Sequence, residues 1–381
     1  MKIHSVLRIC LPAAALASLF PLSFTRAAAQ AAAPAQSSGP VVNSALGTVT
    51  LPVFVVDDKG NAVKNLTAAE LKLTDNGTAQ TVQTFGPAVP GPIAFGIIGE
   101  TGSPLHSELG DERLASVHFV DHTLPGSQDT AFVIQYAGEV DLLADPTTAQ
   151  NKLHDAINQL GSPQFGSQNG GGSSDQSSGS PHWGGASGGT LYDAIYLAST
   201  EELKKQHGQH IIVLISDGVD HDSKETMEDA IEAAQNTHTA IFAIYYKSEE
   251  EESRPHQNSG RHGGLGGGFP GGGGGYPGGG GGYPGGGRRG GQEPSEQQPH
   301  VDGRANLIRL CSATGGYMVE GKRDKADEAY AKIEALIKDQ YTLTFVPTKD
   351  ATASDYQRIT LTTDKKGVYP LIQQGLASSL Q

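Results

Sequence analysis

The run IAFGIIGETGSPL, residues 93–105, decides how the whole chain is interpreted. Its apolar half predicts a buried strand over 93–98, because a strand covered on both faces carries nearly continuous apolar residues. The small polar residues Gly99-Glu100-Thr101-Gly102-Ser103 then predict a loop at the carboxyl end of that strand. Hydroxyl groups in such a loop suit a metal or an anion. However, Gly99 stands where a strong carboxylate ligand is expected.

Strands and helices alternate from about residue 92 onward. Further apolar strands are predicted at 131–136, 140–144, 210–216 and 239–246, and helical patterns at about 108–120, 147–160, 191–206 and 224–237. This alternation predicts an α/β fold with a doubly wound, mostly parallel sheet that has helices on both faces.

Two β-rich units flank this region, and each lacks partners. In the first, Thr48–Val56 predicts a strand, and the DNG turn at 75–77 predicts a hairpin between Leu71–Thr74 and Thr81–Phe85. Alternating patterns at the other end of the chain, in 340–347 and 356–364, predict further strands. A few isolated strands are marginally stable. We therefore expect the two units to form one small β-sandwich, with the α/β domain inserted between its halves or appended to it.

Residues 1–30 have the layout of a cleavable secretory signal peptide. Lys2 and Arg8 precede an apolar stretch that runs from Ile9 to Phe24, and small alanines follow it. An uncleaved membrane anchor is the alternative, which Pro12 and the short apolar length disfavour. We expect an exported protein of the periplasm, the cell envelope or the extracellular space.

The rest of the chain divides into segments of different composition. Residues 31–46 are predicted to be a flexible spacer, 47–90 the N-terminal part of the sandwich, 91–339 the α/β domain and 340–381 the C-terminal part of the sandwich. Two insertions in the α/β domain, 161–189 and 247–300, are rich in glycine and predicted to be disordered.

Charge and motif content exclude several function classes. The formal net charge of -14 argues against nucleic-acid binding, which needs a basic surface. The sequence contains no H-E-x-x-H, G-x-S-x-G, P-loop or cysteine-based zinc pattern. We therefore expect no catalytic residues and a protein that is not an enzyme.

Three loops at predicted strand ends carry oxygen ligands. They contain Thr101 and Ser103, Thr190 just before a helix, and Asp217 at the end of a strand. Ligands of doubly wound sheets bind at the carboxyl ends of the strands, and oxygen donors suit Mg²⁺. Each group also has a structural interpretation: the hydroxyls of the first loop can satisfy loop backbone groups, Thr190 can cap its helix, and Asp217-Gly218 can be a turn.

The acidic residues after Asp217 allow two interpretations as well. Asp220, His221 and Asp222 follow it closely in the same loop. They suit either a second cation or a solvated acidic loop, and the second interpretation is favoured.

Several motifs together resemble the bacterial von Willebrand factor A-related proteins characteristic of Acidobacteria. They are VVDDKGNAVKNLTAAELKLTDNG, GGTLYDAIYLAS, VLISDGVDHDSKETMEDAIEAA, ATGGYM and QYTLTFVP. The resemblance covers about residues 47–375 apart from the two insertions. It implies a Rossmann-like von Willebrand factor A domain with a metal-ion-dependent adhesion site. In that site an Asp-x-Ser-x-Ser loop, a Thr and an Asp surround a cation, and a partner's carboxylate completes the coordination.

Carried over to this sequence, the resemblance implies Thr101, Ser103, Thr190 and Asp217 as metal ligands. The leading Asp of the loop falls on Gly99, so one carboxylate is lost and Mg²⁺ or Mn²⁺ is expected to bind weakly. Glu100 is a possible substitute ligand, although strand alternation aims it to the other side. If the register is right, Gly99→Asp should strengthen binding.

Two functions remain open at this point. The first is a binding or adhesion module that recognises a protein or cell-envelope partner, with a carboxylate on the partner, through Glu100, Thr101, Ser103, Thr190 and Asp217. The alternative is a metal-independent envelope scaffold with a degenerate site. It would use the β-sandwich or the Gly/Tyr-rich tract within 247–300.

Overall fold

The structure is a computed structural model in which part of the chain is described. The described residues are 41–43, 48–102, 105, 108–124, 128–162, 190–247, 302–347 and 357–376. The predicted signal peptide, nearly all of the predicted spacer and the two predicted insertions lie outside these residues, apart from a few positions at their edges. Ser103 lies outside them too.

A six-stranded sheet forms the centre of the α/β region. Its strands are β6 (Ile93–Glu100), β7 (Thr130–Tyr136), β8 (Val140–Thr147), β9 (Gln209–Ser216), β10 (Thr239–Tyr245) and β11 (Met318–Glu320). Their order is β11-β10-β9-β6-β7-β8. All neighbours are parallel except β8, which runs antiparallel to β7. The predicted α/β fold with a mostly parallel sheet is therefore confirmed.

Helices cover both faces of this sheet. They are α1 (Leu109–Thr123), α2 (Gln150–Gln159), α3 (Leu191–Leu197), α4 (Met227–Asn236), α5 (Gly303–Thr314) and α6 (Ala326–Lys338). Helices α1, α2 and α6 share one hydrophobic core with the sheet, and α3, α4 and α5 share another. Strand β6 serves both cores, because Phe95 and Ile97 face the first and Ala94 and Ile98 the second. The sheet is doubly wound, as predicted.

Two antiparallel sheets lie beside this region and share a third core. One contains β1 (Val41–Asn43), β2 (Thr48–Asp57), β5 (Val82–Pro87), β12 (Tyr341–Phe345) and β14 (Val368–Leu371). The other contains β3 (Leu71–Asp75), β4 (Thr78–Gln80), β13 (Gln357–Thr363) and β15 (Gly375–Leu376). The N-terminal and C-terminal strands pair directly, since Leu51 lies opposite Leu343 and Leu73 opposite Leu361. These four side chains are buried in the shared core.

Strand β2 also connects the antiparallel sheets to the α/β region. Phe54 lies in the core that contains α1, α2 and α6, and its ring meets that of Phe242 edge-on with centroids 5.0 Å apart. Aromatic pairs of this geometry add to the energy of burial. The two regions are therefore packed together through apolar side chains.

The predicted hairpin between Leu71–Thr74 and Thr81–Phe85 is wrong in its second strand. After the turn at Asn76-Gly77, β3 pairs with the short β4 rather than with β5. Strand β5 crosses to the other sheet, where it pairs with β12. There the Phe85 ring stacks on that of Tyr341 with centroids 4.8 Å apart. A distant aromatic partner thus outweighs the local pairing that the turn predicts.

None of the helices in the described part of the chain is long and apolar enough to cross a membrane.

Candidate functional site

The ends of β6, β7 and β9 bring the predicted site residues together. We call Glu100, Thr101, Thr190 and Asp217 the carboxyl edge. Thr101 donates from its backbone N–H and its Oγ1 to the carbonyl of Tyr136, at 2.9 and 3.3 Å. Thr190 does the same to the carbonyl of Ala137, at 2.9 and 3.4 Å. Because these two carbonyls are consecutive, the two threonines lie on either side of one chain segment.

Glu100 connects this pair to the third predicted segment. Its Oε2 accepts hydrogen bonds from the backbone N–H of Asp217 and from Ser216 Oγ, each at 3.0 Å. The Tyr136 hydroxyl lies 2.7 Å from Ser216 Oγ and 3.4 Å from the same Glu100 oxygen. Thr101, Thr190 and Asp217, which are far apart in the sequence, therefore meet at one edge of the sheet.

Strand alternation explains why Glu100 has these partners. The neighbouring side chains Ile98, Ile134 and Leu214 all belong to the core beneath α3, α4 and α5. Two residues further along each strand, Glu100, Tyr136 and Ser216 follow on the same face. Alternation therefore aims Glu100 to the face opposite position 99, as expected. The face that it points to is the one on which the Asp217 segment begins.

Asp217 lies in a tight turn held by its neighbours. Its Oδ1 accepts from the backbone N–H of Val219 at 2.8 Å, and Ser216 Oγ accepts from that of Gly218 at 2.8 Å. Gly218 has a positive φ of 77°, which favours glycine. On its outer side Gly218 contacts the backbone of Gly303, the first residue of α5. The nearly buried Asp217 carboxylate thus accepts from a backbone N–H two residues later, as in an Asx turn.

Burial sets the protonation of this site. Glu100 is 2% exposed, and this desolvation, followed by the nearby charge of Asp217, raises its pKa to about 8. The hydrogen bonds from Asp217, Ser216 and Tyr136 oppose the rise. Near neutral pH the Glu100 carboxyl therefore carries a proton, because a second charge beside Asp217 is unfavourable in a buried place.

The N-terminus of α3 is capped by another loop rather than by Thr190. The Thr190 side chain makes no cap hydrogen bond. Instead Ser223 Oγ accepts from the backbone N–H groups of Tyr192 and Asp193, at 3.0 and 3.2 Å. Asp220 Oδ1 lies 3.3 Å from the Tyr192 nitrogen. Thr190 therefore occupies the N-cap position, but its side chain does not cap the helix, and Asp220 has a structural partner.

Gly99, where the resemblance places a carboxylate, lies beside an apolar side chain. A Cβ at Gly99 would lie 3.3 Å from Leu160 Cδ2, on the face opposite Glu100. Besides Asp217, the carboxyl group at this edge comes from Glu100, one residue after Gly99. Two members of its network, Tyr136 and Ser216, were missed by sequence reasoning. The signal available was a polar residue at the end of each apolar run, in AFVIQY and HIIVLIS.

The chemistry of the carboxyl edge is that of oxygen ligands. It offers two carboxyl groups and two hydroxyls, which suit a hard cation rather than a soft one. Across the described ranges, no three His, Cys, Asp or Glu side chains are grouped so as to hold a metal ion. A cation at this edge would therefore depend on threonine hydroxyls as well as on the acids.

Comparison with known proteins gives structural neighbours only. The chain matches no protein-family model and no curated protein. The conserved hypothetical protein BatB of Bacteroides thetaiotaomicron is 14% identical, with 65% of this chain and 99% of that chain covered and a TM-score of 0.36. For the SpRpn10 VWA domain the identity is 11%, the coverage 62% of this chain and 92% of that one, and the TM-score 0.32.

A third neighbour is the proximal thread matrix protein 1 of the mussel byssus, solved with a zinc-occupied MIDAS motif. Its identity is 12% and its TM-score 0.38, with 70% of this chain covered. This chain spans 50% of that protein's length. At such identities the roles of residues at the carboxyl edge rest on the geometry of this chain alone.

Proposed function

We propose that this chain is an exported, non-catalytic module that binds a protein or cell-envelope partner at its carboxyl edge. The observation that supports this most is the convergence of three separate segments, which place Thr101, Thr190 and the Glu100–Asp217 pair at the strand ends. Ligands of doubly wound sheets bind at this end of the strands. The predicted signal peptide of residues 1–30 supports export.

We further propose that Thr101, Ser103, Thr190 and Asp217 hold Mg²⁺ or Mn²⁺ weakly, with Glu100 as a possible additional ligand. The donor set fits such a cation, because every group is an oxygen donor and one carboxylate, Asp217, is nearly buried. A cation bound there would supply a positive charge that attracts a carboxylate of the partner. The binding is weak because position 99 carries no side chain and Glu100 is occupied by Ser216 and the Asp217 N–H.

A second candidate function is a metal-independent scaffold. It is favoured by the hydrogen bonds that Thr101 Oγ1 and Thr190 Oγ1 already donate to backbone carbonyls. Hydroxyls used in this way hold the loops in place without a cation. In that case the partner would contact the same edge, or the β-sandwich, directly.

Calorimetric titration with Mn²⁺ tests the cation at this edge. We expect wild type to bind with millimolar affinity and Asp217→Ala to lose binding at least tenfold, because the variant lacks the Asp217 carboxylate. A tenfold loss corresponds to about 1.4 kcal/mol. The matched control is Asp222→Ala, which removes the same charge from an exposed position in the same loop. If wild type and Asp217→Ala bind Mn²⁺ equally, or neither binds, the cation proposal is wrong.

Gly99→Asp tests the register carried over from the resemblance. We expect this variant to bind Mn²⁺ more tightly than wild type, because it restores the missing carboxylate. We also expect a loss of stability of about 1–2 kcal/mol, because the new side chain starts 3.3 Å from Leu160 Cδ2 and Leu160 must move. Gly99→Ala adds the same Cβ contact with Leu160 without the carboxylate and is the control. Equal Mn²⁺ affinity in the two variants would contradict the register.

Capture of partners in the presence and absence of EDTA separates the two candidate functions. A partner held through the cation should be lost on chelation and with Asp217→Ala. A partner of a metal-independent scaffold should remain bound under both conditions.

A further inference from the structure

A second surface lies in a groove between the antiparallel sheets and helix α5. We call it the α5 groove, with a cavity volume of about 390 Å³. The residues that matter here are Asp57, Asp58, Arg304, Ile308, Tyr317 and Tyr369. Its volume is at the lower end of the range of small-ligand sites, so it would hold a single large side chain or a similar group.

The walls of the groove expose apolar and aromatic groups. Ile308 on α5 is 40% exposed and Tyr369 on β14 is 51% exposed. Both belong to the small set of large hydrophobic side chains that are exposed in the described part of the chain. Tyr317 is half-buried, and its ring lies so close to Gly60 that a Cβ there would be 2.8 Å from the hydroxyl. This contact holds the ring in place against the turn that follows β2.

The acids of the groove are fixed by neutral partners. Asp57 Oδ1 accepts from the backbone N–H groups of Lys59 and Asn61, each at 2.8 Å. Asp58 Oδ1 accepts from the Tyr369 hydroxyl at 2.8 Å. Hydrogen bonds from Asn61 lower the pKa of Asp57, so this carboxylate is charged at neutral pH. Among the described residues, neither aspartate forms an ion pair.

Arg304, the arginine among the described residues that line the groove, has its own partner. Arg304 donates from Nε and Nη2 to Glu320 Oε1, at 3.1 and 2.9 Å. The charge of Arg304 is therefore balanced by Glu320 and not by Asp57 or Asp58. The groove as a whole presents negative charge beside aromatic rings.

We propose that the α5 groove binds an arginine side chain of a partner protein. Its guanidinium would pair with Asp58, lie against the rings of Tyr369 and Tyr317, and rest its methylene groups on Ile308. Arginine fits better than lysine, because its planar guanidinium both stacks on an aromatic face and donates two hydrogen bonds to one carboxylate. This surface is separate from the carboxyl edge and does not depend on the proposed cation.

Calorimetric titration of the whole chain with short peptides tests this inference. The probes are acetyl-Gly-Gly-Arg-Gly-Gly-amide and the same peptide with lysine or glutamate at the centre. We expect saturable millimolar binding of the arginine peptide, weaker binding of the lysine peptide and none of the glutamate peptide. Asp58→Asn retains an acceptor for the Tyr369 hydroxyl. It should lower the affinity for the arginine peptide roughly tenfold, since a hydrogen bond to a charged group is lost.

Two further variants complete the test. Ile308→Lys places a positive charge at an exposed position, where it repels the guanidinium, so it should also lower the affinity for the arginine peptide. Thermal unfolding checks that this variant folds. Asp222→Ala removes an exposed acid that lies outside both the groove and the carboxyl edge, so it should leave this affinity unchanged. The inference is overturned if the glutamate peptide binds as well as the arginine peptide, if no peptide shows saturable binding, or if Asp58→Asn binds like wild type.

Discussion

Replacing Gly218 with alanine is expected to lower the free energy of unfolding by about 3 kcal/mol or more. Two effects add at this position. The φ of 77° is unfavourable for any residue with a Cβ. In addition, the new Cβ would overlap the backbone of Gly303, whose carbonyl carbon would lie 2.6 Å away, and Leu307 Cγ would lie 2.8 Å away.

Gly77→Ala is the matched control that separates the two effects. Its φ of 79° is nearly the same, but no atom lies within 4 Å of a Cβ built there. We expect Gly77→Ala to cost about 1–2 kcal/mol, the penalty of the left-handed backbone alone. Urea unfolding of both variants measures the difference. Equal losses would mean that the contact between Gly218 and the start of α5 does not restrain the loop that carries Asp217.

This contact also has a functional consequence. Gly218 donates its N–H to Ser216 Oγ, and its carbonyl accepts from Asn306 Nδ2 on α5 at 3.0 Å. Asp217 is therefore positioned from both sides, by the strand end and by a helix whose sequence lies more than 80 residues away. A displaced Gly218 should move Asp217 from Glu100, so we expect Gly218→Ala to weaken Mn²⁺ binding where wild type shows it.

The central sheet was predictable because the apolar composition of each strand indicates that the strand is buried. The runs at 93–98 and 210–216 contain little besides apolar residues, and only strands covered on both faces tolerate that. The helix over 191–206 was predicted as well. In the structure it continues beyond α3 through a π-helical segment, Ala198–Glu202, and a short 3-10 segment, Leu203–Lys205. Periodicity indicates such elements without knowledge of their neighbours.

Features that depend on distant partners were not predictable in this way. Strand β5 pairs with β12, which lies more than 250 residues further along the chain, and there Phe85 stacks on Tyr341. The place of Glu100 depends on the register of three strands, which sets Tyr136 and Ser216 beside it. Alternation correctly indicated the face of Glu100, but only the register of the sheet shows what that face meets.

The free energy of unfolding is expected to decrease as the pH rises from about 4.5 to about 8. Two buried carboxyls are responsible, Glu100 and Glu112. Desolvation raises the pKa of Glu100 to about 8 and that of Glu112 to about 7, against 4.5 for the unfolded chain. Between these values the folded state holds protons that the unfolded state has released, so stability falls with rising pH. Each unit of pKa difference is worth about 1.4 kcal/mol, which makes the contribution of these two carboxyls several kcal/mol. Burial lowers the pKa of His210 and His238, which opposes this decrease below about pH 6.5.

Glutamine variants divide this decrease between the two groups. Glu112 lies on α1, where its Oε1 accepts from the Tyr246 hydroxyl, and a glutamine keeps that acceptor without a charge. We expect Glu112→Gln to remove the Glu112 share of the decrease, between pH 4.5 and 7, and Glu100→Gln to remove the Glu100 share, between pH 4.5 and 8. Both variants should therefore be more stable than wild type at pH 8 and similar to it near pH 4.5. Urea unfolding in EDTA across this pH range measures the effect, and variant profiles that run parallel to wild type would show that these carboxyls are charged in the folded protein.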